Sequence, residues 1–242
     1  MLVGLARGTR AGHDLHRDPT WMAARLATAW ENGKVSLWDL KAPRGPLTRD
    51  AARAVHCVGA DARWTHLAAG GDDGRLDLWD LEKDVHVRFP HGHKGAVRAV
   101  AWSPRDARVL SGSEDGTAIV WDASTGTVDL ELAGHDGPVR TVAWSPKGTR
   151  VFTGSDDTTI RIWRANDGRL IEVRRGHHAS VVKLAFLKAG VPLVSRAQDD
   201  EAILWTKPPQ RHAAPTDDLA EVFGTFAVTA DRLRAQLATT RA

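Results

Sequence analysis

The chain has 242 residues, 42% of them hydrophobic and 26% charged, enough to bury one large core in an ordinary globular domain. Its net charge of +3 is spread over both signs, which argues against a nucleic-acid partner. The single cysteine, Cys57, excludes a disulfide framework and points to a reducing, cytoplasmic setting, and no run reaches the roughly 18 apolar residues of a membrane span.

In chain order, residues 1–21 read as an N-terminal extension that is too short for a unit and has no secretory leader. Five tryptophans follow, each closing an apolar strand: Trp38, Trp79, Trp121, Trp163 and Trp205, spaced by 41, 42, 42 and 42 residues. A fixed period of about 40–45 residues marks a repeat architecture. The first unit has Thr28, Asn32 and Trp38 but no Gly-His pair at the expected distance. In the second, Ala51 and Ala69 stand where later units have His and Ser or Thr, leaving Asp73 and Trp79. Both units are expected to be less rigid than those that follow.

The third unit shows the pattern in full. Residues 97–102 alternate apolar with polar or small side chains, Ser103-Pro104-Arg105-Asp106 breaks the strand, and 108–113 form a second strand. Glu114-Asp115-Gly116 turns, 117–122 and 127–132 make two more strands, and the fourth unit repeats the order. Gly92-His93, Gly134-His135 and Gly176-His177 each stand at one fixed offset before the tryptophan of their unit, and Asp115, Asp157 and Asp199 stand at another. Past residue 206, Pro208-Pro209 cannot donate to a ladder, and Leu219, Val222, Phe223 and Phe226 recur at helical spacing. Residues 207–242 are therefore expected to be a Pro-containing linker and an amphipathic helical tail, packed on the last unit or offered to a partner.

The Gly-His dipeptide, the Val-x-x-Val-x-Trp-Ser-Pro strand, the Ser-Gly-Ser-x-Asp turn and the closing Trp-Asp together resemble the WD40 repeat. The resemblance covers residues 22–206, although Arg164 and Thr206 replace the aspartate after the last two tryptophans. It implies an all-β fold of WD40-type β-propeller blades, four full and a partial first one. WD40 propellers usually close with seven or eight blades, and seven periods need about 294 residues, so an incomplete or open propeller is expected. Self-association or a second chain would then complete the ring.

Three sets carry residues that look catalytic: His93, Ser111, Asp115 and Trp121; His135, Thr153, Asp157 and Trp163; His177, Ser195, Asp199 and Trp205. A catalytic triad is needed once, in a cleft with an oxyanion site. A buried indole N–H, by contrast, needs an acceptor in every blade. The resemblance implies structural hydrogen-bonded tetrads, so no catalytic residue, cofactor or metal site is assigned. The histidine pairs lack the converging ligands of a zinc site.

For partners, the resemblance points to the residue after the first valine of each inner strand, at the mouth of the central channel. His56, Arg98, Arg140 and Val182 hold it, with Lys94, Asp136 and His178 in the neighbouring loops. Arginine pairs carboxylate and phosphate bidentately, which suits acidic or phosphorylated peptides. The expected function is a non-catalytic protein-interaction scaffold. The alternative is a regulatory module split from a larger signalling protein of the kinase or nucleotide-binding switch type.

Overall fold

The computed structural model describes residues 14–17, 25–30, 32–39, 46–51, 53–89, 92–186 and 193–205, and every element there is a β-strand. The strands form five antiparallel sheets. The first holds β1 (Asp14–Arg17), β2 (Arg25–Ala29), β3 (Lys34–Asp39) and β4 (Leu47–Asp50); the second β5 (Val55–Ala60), β6 (His66–Gly71), β7 (Leu76–Asp80) and β8 (Val85–Arg88). The third holds β9 (Val97–Trp102), β10 (Arg108–Ser113), β11 (Ala118–Asp122) and β12 (Thr127–Leu132); the fourth β13 (Val139–Trp144), β14 (Arg150–Ser155), β15 (Ile160–Arg164) and β16 (Leu170–Arg174). The fifth holds β17 (Val181–Phe186), β18 (Leu193–Ala197) and β19 (Ala202–Trp205). Four-stranded meanders repeated side by side are propeller blades.

Each blade is too thin to bury both faces alone, so the core lies in the seams between consecutive sheets. Ala27, Ala29 and Val35 of the first pack against Val55, Val58, Leu67 and Trp79 of the second. Leu76 and Leu78 meet Val97, Val109 and Trp121; Leu110 and Val120 meet Val139, Val151 and Trp163; and Ile160 and Ile162 meet Val181, Leu184 and Leu193. Thus the closing tryptophans face backwards along the chain, and the residue before each faces forwards. Inner-strand tryptophans stitch two of the seams through their indole N–H groups: Trp102 donates to Gly59 O at 2.9 Å and Trp144 to Ala101 O at 3.1 Å. Phe186 holds this position in the fifth blade and has no such donor.

Among the described residues, all the substantial packing between sheets joins sequence neighbours, and none joins the fifth sheet to the first.

The first blade, expected to be partial, has an inner strand. The first sheet has four strands, because β1 begins at the same offset before Trp38 as Val97 does before Trp121. Asp14-Leu15-His16-Arg17 is short and charged, with no Val-x-x-Val pattern to mark it, and it lies within residues 1–21, read above as an extension. The sheet with three described strands is the fifth. The expected helical tail lies outside the described residues, and no helix among those described is long and apolar enough to cross a membrane.

Candidate functional site

The three His-Ser/Thr-Asp-Trp sets assemble inside their blades. In the third blade, Trp121 Nε1 donates to Ser111 Oγ at 2.8 Å, and that hydroxyl lies 2.7 Å from His93 Nε2. On the other side of the ring, His93 Nδ1 donates to the carboxylate oxygen Asp115 Oδ2 at 3.1 Å. Asp115 also accepts from the amides of Lys94 (2.8 Å) and Thr117 (2.9 Å) and from the Thr117 hydroxyl (2.7 Å). Burial works against the carboxylate charge, yet these donors outweigh it and hold Asp115 well below the usual carboxylate range.

The fourth blade repeats the chain of bonds. Trp163 donates to Thr153 Oγ1 at 3.0 Å, Thr153 lies 2.7 Å from His135 Nε2, and His135 Nδ1 donates to Asp157 at 2.7 Å. Burial lowers the His135 pKa despite the attraction of Asp157. Ser111 and Thr153 have no exposed surface, so no substrate reaches either hydroxyl.

The fifth blade keeps two links and alters the third. Trp205 donates to Ser195 at 2.7 Å and Ser195 meets His177 Nε2 at 2.6 Å. Asp199, expected as the fourth member, accepts the Glu201 amide at 3.1 Å instead. His177 Nδ1 faces Glu201 Oε2 at 3.5 Å, a long contact. The reason is a change just beyond the turn aspartate. Thr117 and Thr159 brace Asp115 and Asp157 there, whereas Glu201 brings a second carboxylate of its own.

The second blade lacks the tetrad and has other chemistry in its place, which the sequence reading missed. Asp77 is fully buried, ion-paired with Arg53 and with Arg88 Nε at 3.0 Å, and hydrogen-bonded to His86 Nε2 at 2.8 Å. Arg53 also reaches Asp73 at 2.6 Å, and Arg88 donates to Ala51 O at 2.6 Å. Trp79 stacks on His86 with centroids 4.8 Å apart and planes 7° from parallel. Burial first, then Arg88 and Arg53, pushes the His86 pKa down, and its Nε2 donates to the Asp77 carboxylate. The available signal was Asp77 itself, a lone acid in the apolar run Leu76-Asp77-Leu78-Trp79. In the first blade, Thr28 Oγ1 accepts from both Trp30 and Trp38 at 3.2 Å, and Asn32 caps the turn at Lys34 N.

The residues expected at the channel mouth form a repeated motif of their own. Each basic side chain after the first valine pairs with an acid on the turn between the second and third strands of its blade. His56 pairs with Asp72, Arg98 with Glu114 at 2.8 Å, and Arg140 with Asp156 at 2.6 Å. Arg140 also reaches Glu114 at 3.2 Å, so one carboxylate joins two blades. The hydrogen bonds from Asp156 raise the Arg140 pKa, and those from Arg140 lower that of Asp156. Val182 ends the row, with neutral Gln198 at the matching turn. Lys94, Asp136 and His178 lie exposed beside it. The site is therefore a row of basic side chains each held by an acid of its own blade, with Arg98 and Arg140 in ion pairs, rather than a cluster of free cations.

A family description, "WD domain, G-beta repeat", matches residues 84–122 and 126–164. Protein FIZZY-RELATED 1 of Arabidopsis thaliana is 31% identical over 85 residues, 34% of this chain and 18% of that protein. The ribosome biogenesis protein ERB1 of Mycosarcoma maydis is 37% identical over 57 residues, 21% of this chain and 6% of its own length. The anaphase-promoting complex subunit cdh1 of Dictyostelium discoideum is 45% identical over 38 residues, 16% of this chain and 5% of its own. The chain thus spans under a fifth of the length of these relatives. With five antiparallel sheets in one register and the family's pattern matched in two stretches, the chain carries WD40 repeats, and its sheets are blades of that propeller architecture.

Proposed function

We propose that the chain is a non-catalytic scaffold that holds other proteins on the face carrying His56, Arg98 and Arg140. The observation that supports this reading is the ion-pair row itself, repeated from blade to blade on one side of the blades and open to solvent. The hydroxyls and imidazoles of the tetrads, by contrast, are used up inside the blades. A partner segment bearing carboxylates or phosphate competes with Glu114 and Asp156 for guanidinium groups already held in place, which lowers the ordering cost of binding. Relatives named for the anaphase-promoting complex and for ribosome biogenesis suggest a place in a multiprotein assembly.

The test compares two faces. Arg98→Glu with Arg140→Glu is expected to abolish capture of the partner recovered by the unmodified protein from native extract, with circular dichroism unchanged. Reversal of Arg105 and Lys147, which meet through Arg105 Nη1 and Lys147 O at 3.2 Å on the opposite turns, should leave capture intact. If the second pair is the damaging one, the face is wrongly assigned.

A further inference from the structure

In all four seams, the residue a sheet turns toward the first valine of its successor is small. Gly70 on β6, Gly112 on β10 and Gly154 on β14 lie directly under the first valine of the next inner strand, and Ala29 on β2 packs with Val55 in the first seam. A Cβ on the three glycines would stand 2.5 Å from Val97 Cγ1, 2.7 Å from Val139 Cγ1 and 2.7 Å from Val181 Cγ1, so these seams have no room for a larger side chain as packed. Their cross-strand neighbours are Cys57, Ala99 and Thr141, all small. In the fifth sheet the same pair is Arg196 opposite Lys183. Two long cations now occupy the space that a further blade's valine requires.

The rest of that face keeps the apolar pattern of the internal blades: Ala185, Val194, Ala202 and Leu204. Val194 is fully buried there, but Ala185, Ala202 and Leu204 are only half-buried, whereas Leu78, Val120 and Ile162, at the register of Leu204, are 5%, 0% and 1% exposed. Arg196 is paired with Asp200 of its own turn. A cover for this surface therefore has to be apolar along most of its length and acidic where it meets Lys183 and Arg196.

The sequence beyond the blade supplies one. Residues 217–226 carry Asp217, Asp218 and Glu221 together with Leu219, Val222, Phe223 and Phe226. Residues 206–216 separate them from Trp205. Eleven residues reach up to about 36 Å, roughly twice the length of a five-residue strand, which is ample for a return over the sheet. We propose that residues 217–226 cover the outward face of the fifth sheet, their carboxylates meeting Lys183 and Arg196, and that these two cations bar a further blade from the same place. This assignment is independent of the binding face proposed above.

Zero-length carbodiimide crosslinking of the full chain tests it. An equal mixture of 14N- and 15N-labelled protein is crosslinked and the products are mapped by mass spectrometry. Lys183 should be joined to Asp217, Asp218 or Glu221 within chains of a single label. Mixed-label products would make a second copy the occupant, and the absence of any link from Lys183 to this stretch would equally overturn the proposal. Charge reversal provides the second reading. Lys183→Glu with Arg196→Glu should speed thermolysin cleavage within residues 207–226 several-fold. Adding Asp217→Lys, Asp218→Lys and Glu221→Lys to the same chain should slow it again. Fast cleavage that the second reversal does not slow would show general loosening of the blade and sink the idea.

Discussion

The second and third blades bury the same closing tryptophan by opposite means. In the third, Trp121 is fully buried and starts a chain of hydrogen bonds through Ser111 and His93 that ends on the carboxylate of Asp115. In the second, Trp79 stacks on an imidazole, and the charge sits at the centre of the blade, on Asp77. The register and the seam packing are nevertheless alike. What the repeat fixes is the position of an aromatic ring in the seam; how the polar groups around it are satisfied is free to vary, provided that none is left without a partner.

The largest expected effect breaks this comparison at both centres. Trp121→Ala removes a fully buried indole and leaves a cavity, a loss of about 3–5 kcal/mol. Asp77→Ala removes far less volume, and a count of apolar contacts alone makes it mild. Because it strands Arg53 and Arg88 beside an apolar seam, the expected loss is also about 3–5 kcal/mol. Adding Arg53→Met to Asp77→Ile should recover much of it, since an apolar replacement of both partners leaves less charge uncompensated. Urea unfolding of the variants measures this. A cost under about 1 kcal/mol for Asp77→Ala would mean that the cluster is decoration on a seam held by packing alone.

These two blades also mark how far the sequence could be read. Period and strand order were legible because each follows from alternation and from the spacing of tryptophans. The tetrads of the third and fourth blades were expected only through the resemblance to the WD40 repeat, and the facing of each tryptophan across a seam shows in the packing alone. The charge cluster was not legible, since Arg53, Asp77, His86 and Arg88 follow no repeated pattern and meet only across two strands and a loop. The exchange of Asp199 for Glu201 beside His177 was hidden by a turn aspartate in perfect register. The row of His56, Arg98 and Arg140 could be read, but the acids paired with it sit on a separate turn and show their role only once β-pairing brings them opposite.

Acid sharpens the contrast by a smaller amount. Burial holds His135 and His177 below the ordinary histidine value of 6.5, so the folded state refuses protons that the unfolded chain accepts. Stability is full above that value and falls as pH drops below it. Burial alone would raise the carboxylates of Asp115 and Asp157, but their hydrogen bonds lower them, adding a second loss that begins only below about pH 4. The urea midpoint should therefore decline between pH 7 and 5, before any carboxylate titrates. His135→Gln should flatten that decline, because one proton fewer is taken up on unfolding. An unchanged slope in the variant would show that His135 is already charged in the fold.

The smallest effect concerns the turn that feeds each tetrad its aspartate. Gly33, Gly74 and Gly116 take φ of +84°, +73° and +82° at the residue after the turn acid or amide. The fourth blade places Thr158 there at φ +68°, and the fifth places Asp200 at +66°. A β-branched residue in the left-handed region is strained, whereas aspartate tolerates it better. Thr158→Gly relieves that strain and gives back part of the gain as extra freedom in the unfolded chain, for a net stabilisation of about 0.5–1 kcal/mol. Nothing else is lost, since the bond from Thr158 N to Ser155 O at 3.1 Å belongs to the backbone. Asp200→Gly makes the control, because the relief there is smaller and the ion pair with Arg196 goes with it. If Thr158→Gly destabilises the protein as much as Asp200→Gly does, the turns of the fourth and fifth blades are held by contacts rather than merely tolerated, and the glycines of the earlier blades reflect close packing more than backbone conformation.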